Sequence, residues 1–294
     1  MPKGEALPAR PSLEFLKKLA KQQVATLRRQ GRITSLASTQ LTLARKYGFP
    51  SWRKLKAHVE LLERAAAAIE AISSGDTKTL KRLLRQNSNL ANTRVDDKRT
   101  LLHVATDWPG HFPNNTETIA ELIASGADVN AEFAGRHSET PLHWAASSDD
   151  VGVIDVLLNH GANIEAQGSV IGGGTPMSDA VAFGQWQAAR RLVERGARTT
   201  LWQAAALGLM DRVDGYFTAV PPPTPDEITN AFWCACHGGQ RTASEYLLGR
   251  GADLNWIGYD GLTPLDAATR SGASELVEWL RSRSARSASA PTVR

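Results

Sequence analysis

Residues 138–166, SETPLHWAASSDDVGVIDVLLNHGANIEA, constrain this chain more than any other stretch. Thr140 is placed to cap a helix through its hydroxyl. Pro141 suits the first helical position, where the amide it lacks would have no partner. Leu142, Ala145 and Ala146 then share one face, and the alanines let a second helix approach closely. Val153, Ile154, Val156, Leu157 and Leu158 give the following helix its apolar side. Gly161 supplies the left-handed residue that ends it. A helix pair of this size cannot bury its apolar face alone, so the stretch implies neighbours stacked on both sides.

Approximate copies occur along the chain. Thr100-Leu101-Leu102-His103 leads to Gly126-Ala127-Asp128-Val129-Asn130, and Thr175-Pro176-Met177 leads to Gly196-Ala197. Asn230-Ala231-Phe232-Trp233 leads to Gly251-Ala252-Asp253-Leu254-Asn255, and Thr263-Pro264-Leu265-Asp266 opens a last copy. A degenerate first copy covers residues 62–92. These motifs resemble the ankyrin repeat. The resemblance implies an all-α solenoid of about seven helix-turn-helix repeats, whose hairpin fingers and first-helix ends line a concave face that docks partners. In that family the histidine of Thr-Pro-Leu-His, here His103 and His143, bonds backbone across the finger. Two copies depart from the pattern. The second holds five extra residues, in the stretch 107–114 between its helices. The fifth begins at Thr199-Thr200-Leu201-Trp202, almost directly after Gly196, so its finger is missing.

The charge is divided unevenly. Residues 1–60 hold thirteen Lys and Arg against three acids, a net charge of +10 inside a chain whose total is +4. The spacing of Leu13, Leu16, Leu19, Ala20, Val24 and Leu27 predicts a helix from Ser12 to about Gln30. A second is expected from about Thr39 to Tyr47, and a third from near Trp52 toward Arg64. Leu41 to Glu60 is similar to the short helical segment that precedes the repeats in many bacterial ankyrin-repeat proteins, through Ala44-Arg45, Tyr47-Gly48-Phe49 and Ser51-Trp52. The expected organisation is a basic helical segment over 1–60, an ankyrin array over 61–283 and a disordered tail over 284–294. The basic segment reads first as a cap on the array, and alternatively as a contact for nucleic acid.

Several function classes receive no support. No apolar run reaches the length of a membrane span, and the N-terminus lacks an apolar signal core, so a cytoplasmic protein is expected. Cys234 and Cys236, two apart on a helix, point to different faces and cannot bridge each other. With His237 they also cannot all face one ion, so no metal is expected. Neither cofactor nor catalytic residue is assigned: Gly172-Gly173-Gly174 lacks the lysine of a phosphate loop, and no hydrolase or kinase signature is present.

The expected function is a protein–protein interaction module. Aligning the repeats on their helix starts and turn glycines places Asp107, Trp108, Phe183, Leu207, His237 and Arg270 on the concave face or the inserted loop. His111 lies in the same loop, where it either contacts a ligand or folds the loop onto the array. Trp144, Asp179 and Gln203 are singled out beside them. Asp179 and Gln203 break an apolar pattern in adjacent repeats. A buried polar group costs roughly 1–3 kcal/mol unless paired. They therefore suggest an alternative: a small-molecule or enzymatic pocket with Asp179 as the polar floor of a groove walled by Trp108, Trp144, Phe183, Trp202 and Trp233. Trp202 and Trp233, at the position of the motif histidine, are expected in the core.

Overall fold

A computed structural model describes residues 5–8, 11–87 and 89–288. The chain divides into two compact units, one of Met1–Ala105 with Phe112–Asp128 and one of Thr106–His111 with Val129–Arg294. Every element of three or more residues in the described part is helical, as an all-α repeat protein requires.

The first unit begins with α1 (Leu13–Arg29), α2 (Leu36–Lys46) and α3 (Trp52–Ser74). Leu13, Leu16, Ala20, Leu43, Ala44, Leu55 and Val59 form their common core, with Phe49 and Trp52 packed against it. Ser35 and Ser51 cap α2 and α3 by accepting from the backbone N–H of Ser38 and Lys54. Residues 60 and 61 both lie inside α3. The basic segment's third helix and the first repeat's first helix are therefore one rod of 23 residues. Nothing in LLERAAAAIEAISS interrupts a helix, and its alanines favour one. Gly75, left-handed at φ 70°, ends it. Then follow α4 (Thr77–Gln86), capped by Asp76, α5 (Leu101–Thr106), which runs up to the unit boundary, and α6 (Asn115–Ala124).

The second unit is a succession of helix pairs: α7 (Pro141–Ser147) with α8 (Val151–Asn159), α9 (Pro176–Ala182) with α10 (Trp186–Glu194), α11 (Leu201–Ala206) with α12 (Met210–Thr218), α13 (Pro225–His237) with α14 (Arg241–Gly249), and α15 (Pro264–Arg270) with α16 (Ser274–Ser282). The first helices α7, α9, α11, α13 and α15 pack side by side. Each contributes fully buried alanines, among them Ala145, Ala180, Ala204, Ala231 and Ala268. The thirteen-residue α13 begins well before Asn230, because Thr224, Pro225 and Glu227 build a capping box upstream.

Side-chain to backbone bonds tie four of the repeat exits to the segment that follows, and periodicity alone does not reveal them. Asn130 accepts from Asn163 N (2.7 Å) and donates to Gly161 O (3.0 Å). Glu165 takes the same role toward Arg198 N (2.8 Å), and Asn255 toward Arg286 N (2.8 Å). In the first unit Asn92 accepts from Asp128 N (2.9 Å) and donates to Gly126 O (2.6 Å). Part of the expected tail joins this scheme, since Ala288 N donates to Asp266 (2.8 Å); residues 289–294 lie outside the described part. Asn130→Ala is expected to cost about 1–2 kcal/mol by removing both bonds at one joint. Urea denaturation measures it, and a neutral result would show that these bonds only follow the stacking.

Candidate functional site

The motif histidine sets the local geometry. His143 Nδ1 accepts from Thr140 N (3.0 Å), which leaves its Nε2 to donate to Gly174 O, 3.3 Å away in the next repeat. Trp233 does the second job with an indole: Nε1 donates to Leu262 O at 2.9 Å, and the ring is buried at 3% exposure. In the fifth repeat the cap moves by one residue. Counted back from the turn glycine Gly208, Trp202 stands where His143 stands, yet Thr200 is the cap and Gln203 closes the capping box. Gln203 Oε1 accepts from Thr200 N (2.8 Å) and its Nε2 donates to Ser178 Oγ (3.1 Å). Its amide is thus spent on the cap and a neighbouring hydroxyl, at 3% exposure.

Asp179 is fully buried. One carboxylate oxygen accepts from Ser169 Oγ (2.5 Å), and the other has no hydrogen-bond partner. Burial pushes its pKa up to about 7; the Ser169 bond opposes this, and the nearby Glu139 adds to it. Glu139, itself raised chiefly by burial, is bonded by Trp144, whose ring lies 5.5 Å from that of Phe133. The expected groove with Asp179 as its floor is therefore not formed at this carboxylate. The finger carrying Ser169 folds over it and seals it.

An open cavity lies one helical turn away. About 250 Å³ in volume, it is lined by Ile171, Val181, Ala182, Phe183, Trp202, Trp233, Cys234, His237, Tyr259, Asp260 and Arg270. Its existence follows from chain lengths. Ile171 comes from the finger before α9, and Tyr259 and Asp260 from the finger before α15. The short connectors at 195–200 and 219–224 supply no finger between them, so Trp202 stays partly uncovered in the cavity wall, while Trp233 is covered from the other side by Tyr259. A second hollow of about 380 Å³ adjoins it, sharing Phe183, His237, Asp260 and Arg270 and adding Trp186.

His237 lies between Trp186 and Trp233, with ring centroids at 5.1 Å and 5.6 Å. Neither of its ring nitrogens closes a hydrogen bond of normal geometry. Burial first, and Arg270 second, hold its pKa below the ordinary value, against the Val181 and Ala182 carbonyls and Asp260. It is therefore neutral near pH 7. Arg270 is paired with Asp260 at 2.7 Å on the rim. The Cys234 thiol, its pKa raised by burial and by Cys236, is no nucleophile at neutral pH. Among the described residues no group of three or more His, Cys, Asp and Glu is placed to hold a metal.

Phe183, His237 and Arg270 thus converge on one cavity. Leu207 is buried at 7% exposure as the cap residue of α11. Asp107, Trp108 and His111 form a separate feature. The His111 backbone N–H donates to Asp150 (3.2 Å) and its Nε2 lies 3.0 Å from Ser148 O, so this histidine pins the loop to the start of α8. Asp107 is half-buried and Trp108 is left 77% exposed. Sequence reasoning missed Tyr259, Asp260 and Trp186. The available signal was the aromatic pair Trp256 and Tyr259 around Gly258, where a Cβ would lie 2.4 Å from the Trp256 ring and 2.9 Å from that of Trp233.

Residues 112–202 match the family described as "Ankyrin repeats (3 copies)". The chain is 27% identical over 227 residues to an ankyrin repeat and KH domain-containing protein of Caenorhabditis briggsae, covering 74% of this chain and 8% of that protein. It is 38% identical over 94 residues to Rabankyrin-5 of Mus musculus, covering 29% and 7% respectively. A serine/threonine-protein kinase VIK of Arabidopsis thaliana is 31% identical over 114 residues, covering 38% and 24%. The chain thus spans under a quarter of each relative's length. All three are eukaryotic, so they do not carry the bacterial character of the N-terminal resemblance. No helix in the described part is long and apolar enough to cross a membrane. Helix pairs, histidine caps and sequence likeness agree that this chain carries ankyrin repeats.

Proposed function

We propose that the chain is a protein-binding module whose second unit holds its partner on the concave face, with the cavity at His237 receiving one large apolar side chain as anchor. The observation that carries this reading is the cavity itself, an aromatic-walled recess left open by two missing fingers. Ankyrin repeats are generally protein-interaction modules, and binding energy concentrates where an aromatic or aliphatic anchor fills a desolvated recess. At about 250 Å³ the cavity falls below the roughly 300–1,000 Å³ that drug-sized ligands occupy. It is closer to the size of a single side chain. Trp108, exposed on its pinned loop, offers a further contact.

Peptide display against the full chain tests this. Recovered peptides should share a large apolar residue at one position. They should lose roughly thirtyfold in affinity, the loss of a hot spot of about 2 kcal/mol, when Ala182→Leu fills the cavity. Peptides without a common anchor, or bound equally by that variant, would refute the reading.

A further inference from the structure

The cavity and the array leave the first three helices without a role beyond covering an end. We propose that α1 is also a contact surface for double-stranded nucleic acid, engaged through its phosphates.

The residues of α1 separate into two faces. Leu13, Leu16, Ala20 and Val24 are buried, most of them in the core shared with α2 and α3. At 100° per residue, Lys17, Lys21 and Arg28 fall within about 40° of one another on one flank, about 75° from the centre of the buried stripe, and the row they make is roughly 16 Å long. Lys18 and Arg29 run alongside, and all five are exposed. None of the five has an ion-pair partner in the described structure, where the segment's cations pair with carboxylates at Lys46–Glu5 (3.0 Å) and Lys56–Glu60 (3.5 Å). The neighbouring corner has the same character. Arg53 and Lys54 are exposed in the first turn of α3, which contains no acid. Cations there oppose the helix dipole at a cost of a few tenths of a kcal/mol each at low ionic strength, so stability of the helix does not account for them.

Glu14 is the one acid of α1, so the helix keeps a net charge of +4, and positive charge of this density is complementary to a polyanion. A duplex backbone suits it better than the alternatives. A basic helix that inserts into a membrane surface needs a free apolar face, and the apolar face of α1 is already taken by α2 and α3. Single strands are held by aromatic platforms, and this side of α1 offers only Phe15, half exposed. The contact is to phosphates, so it is independent of base sequence.

The test is fluorescence anisotropy of a labelled 20-base-pair DNA duplex titrated with the full chain at several salt concentrations. The triple variant Lys17→Ala, Lys21→Ala, Arg28→Ala is compared with Arg190→Ala, an exposed cation of the array. Wild type and Arg190→Ala should bind alike, weakening steeply as salt rises. The triple variant should bind at least tenfold more weakly at low salt. Its log–log salt slope should be shallower by about 2.7, since each phosphate contact contributes about 0.9. The alanines sit at exposed helical positions and keep the fold, which circular dichroism checks. No binding at 50 mM salt would overturn the proposal, as would an unchanged slope in the triple variant. So would a preference for phosphatidylserine vesicles over the duplex.

Discussion

Asp179→Asn is expected to flatten the pH dependence of this protein's stability and to make it more stable above pH 7. The ordinary value for this carboxyl is 3.8, and burial raises it to about 7 in the folded chain. Below about pH 4 both the folded and unfolded states carry the proton. Between about 4 and 7 the unfolded state ionises while the folded state holds its proton. Stability therefore falls by up to about 1.4 kcal/mol per pH unit, and the fall ceases once the folded carboxyl also ionises. The total is of the order of 4 kcal/mol. Glu139, raised in the same direction, steepens the decline. An asparagine does not titrate, keeps an acceptor for Ser169, and can present its amide toward Glu139. Urea denaturation at pH 5, 6, 7 and 8 should show the wild type losing stability across the series, while the variant keeps only the smaller slope that Glu139 contributes and exceeds the wild type at pH 8 by about 2 kcal/mol or more. A level wild-type profile would mean that the buried charge is relieved by something other than Ser169.

The helix pairs were legible because their determinants are local. A cap, a proline, an apolar face and a turn glycine lie within a few residues of each other, and each acts on its own helix. Placement of the polar residues was not legible, because it depends on what a neighbouring repeat supplies. Asp179 follows the motif and so reads as a groove residue. The hydroxyl that receives it belongs to Ser169, in a finger whose fold-back depends on left-handed Gly168, Gly172 and Gly173. Gln203 reads as an anomaly until the cap shifts by one residue, after which it does the work of a motif histidine. The extent of α3 was hidden for the opposite reason: nothing in the sequence marks an end before Gly75, and the helix read from near Trp52 toward Arg64 runs on to Ser74.

The cavity was half legible. The missing finger of the fifth repeat was visible in the distance from Gly196 to Thr200, and Phe183, His237 and Arg270 follow from aligning the first-helix ends. What closes the recess, Tyr259 and the Asp260–Arg270 pair, comes from a finger two repeats further on. Only three-dimensional stacking brings it across the gap. The same gap explains the two tryptophans differently. Trp202 and Trp233 share a position in the repeat, but Trp233 has a finger beside it to bond, whereas Trp202 does not and lies half-buried in the cavity wall.

That difference leads to a second large effect. Trp233→Ala is expected to destabilise the chain by about 3–5 kcal/mol, the usual cost of truncating a buried aromatic. Trp233→Phe should cost only about 1–2 kcal/mol, since it keeps most of the ring volume and loses the donor to Leu262 O. Leu262 O also accepts from Gly258 N (2.9 Å), so neither variant orphans that carbonyl. The loss in Trp233→Ala is then packing: Tyr259, edge-on to the indole at 5.2 Å, and His237, at 5.6 Å, both lose their wall. Trp202→Ala removes a ring that is only partly buried and makes no described hydrogen bond, so it should cost less than Trp233→Ala, about 2 kcal/mol, while weakening any anchor held in the cavity. Urea denaturation of the three variants, read beside peptide binding, separates the roles. Trp233→Ala should fail chiefly in stability and Trp202→Ala chiefly in binding. Equal stability losses at the two sites would mean that a finger beside the ring has no bearing on which tryptophan is structural.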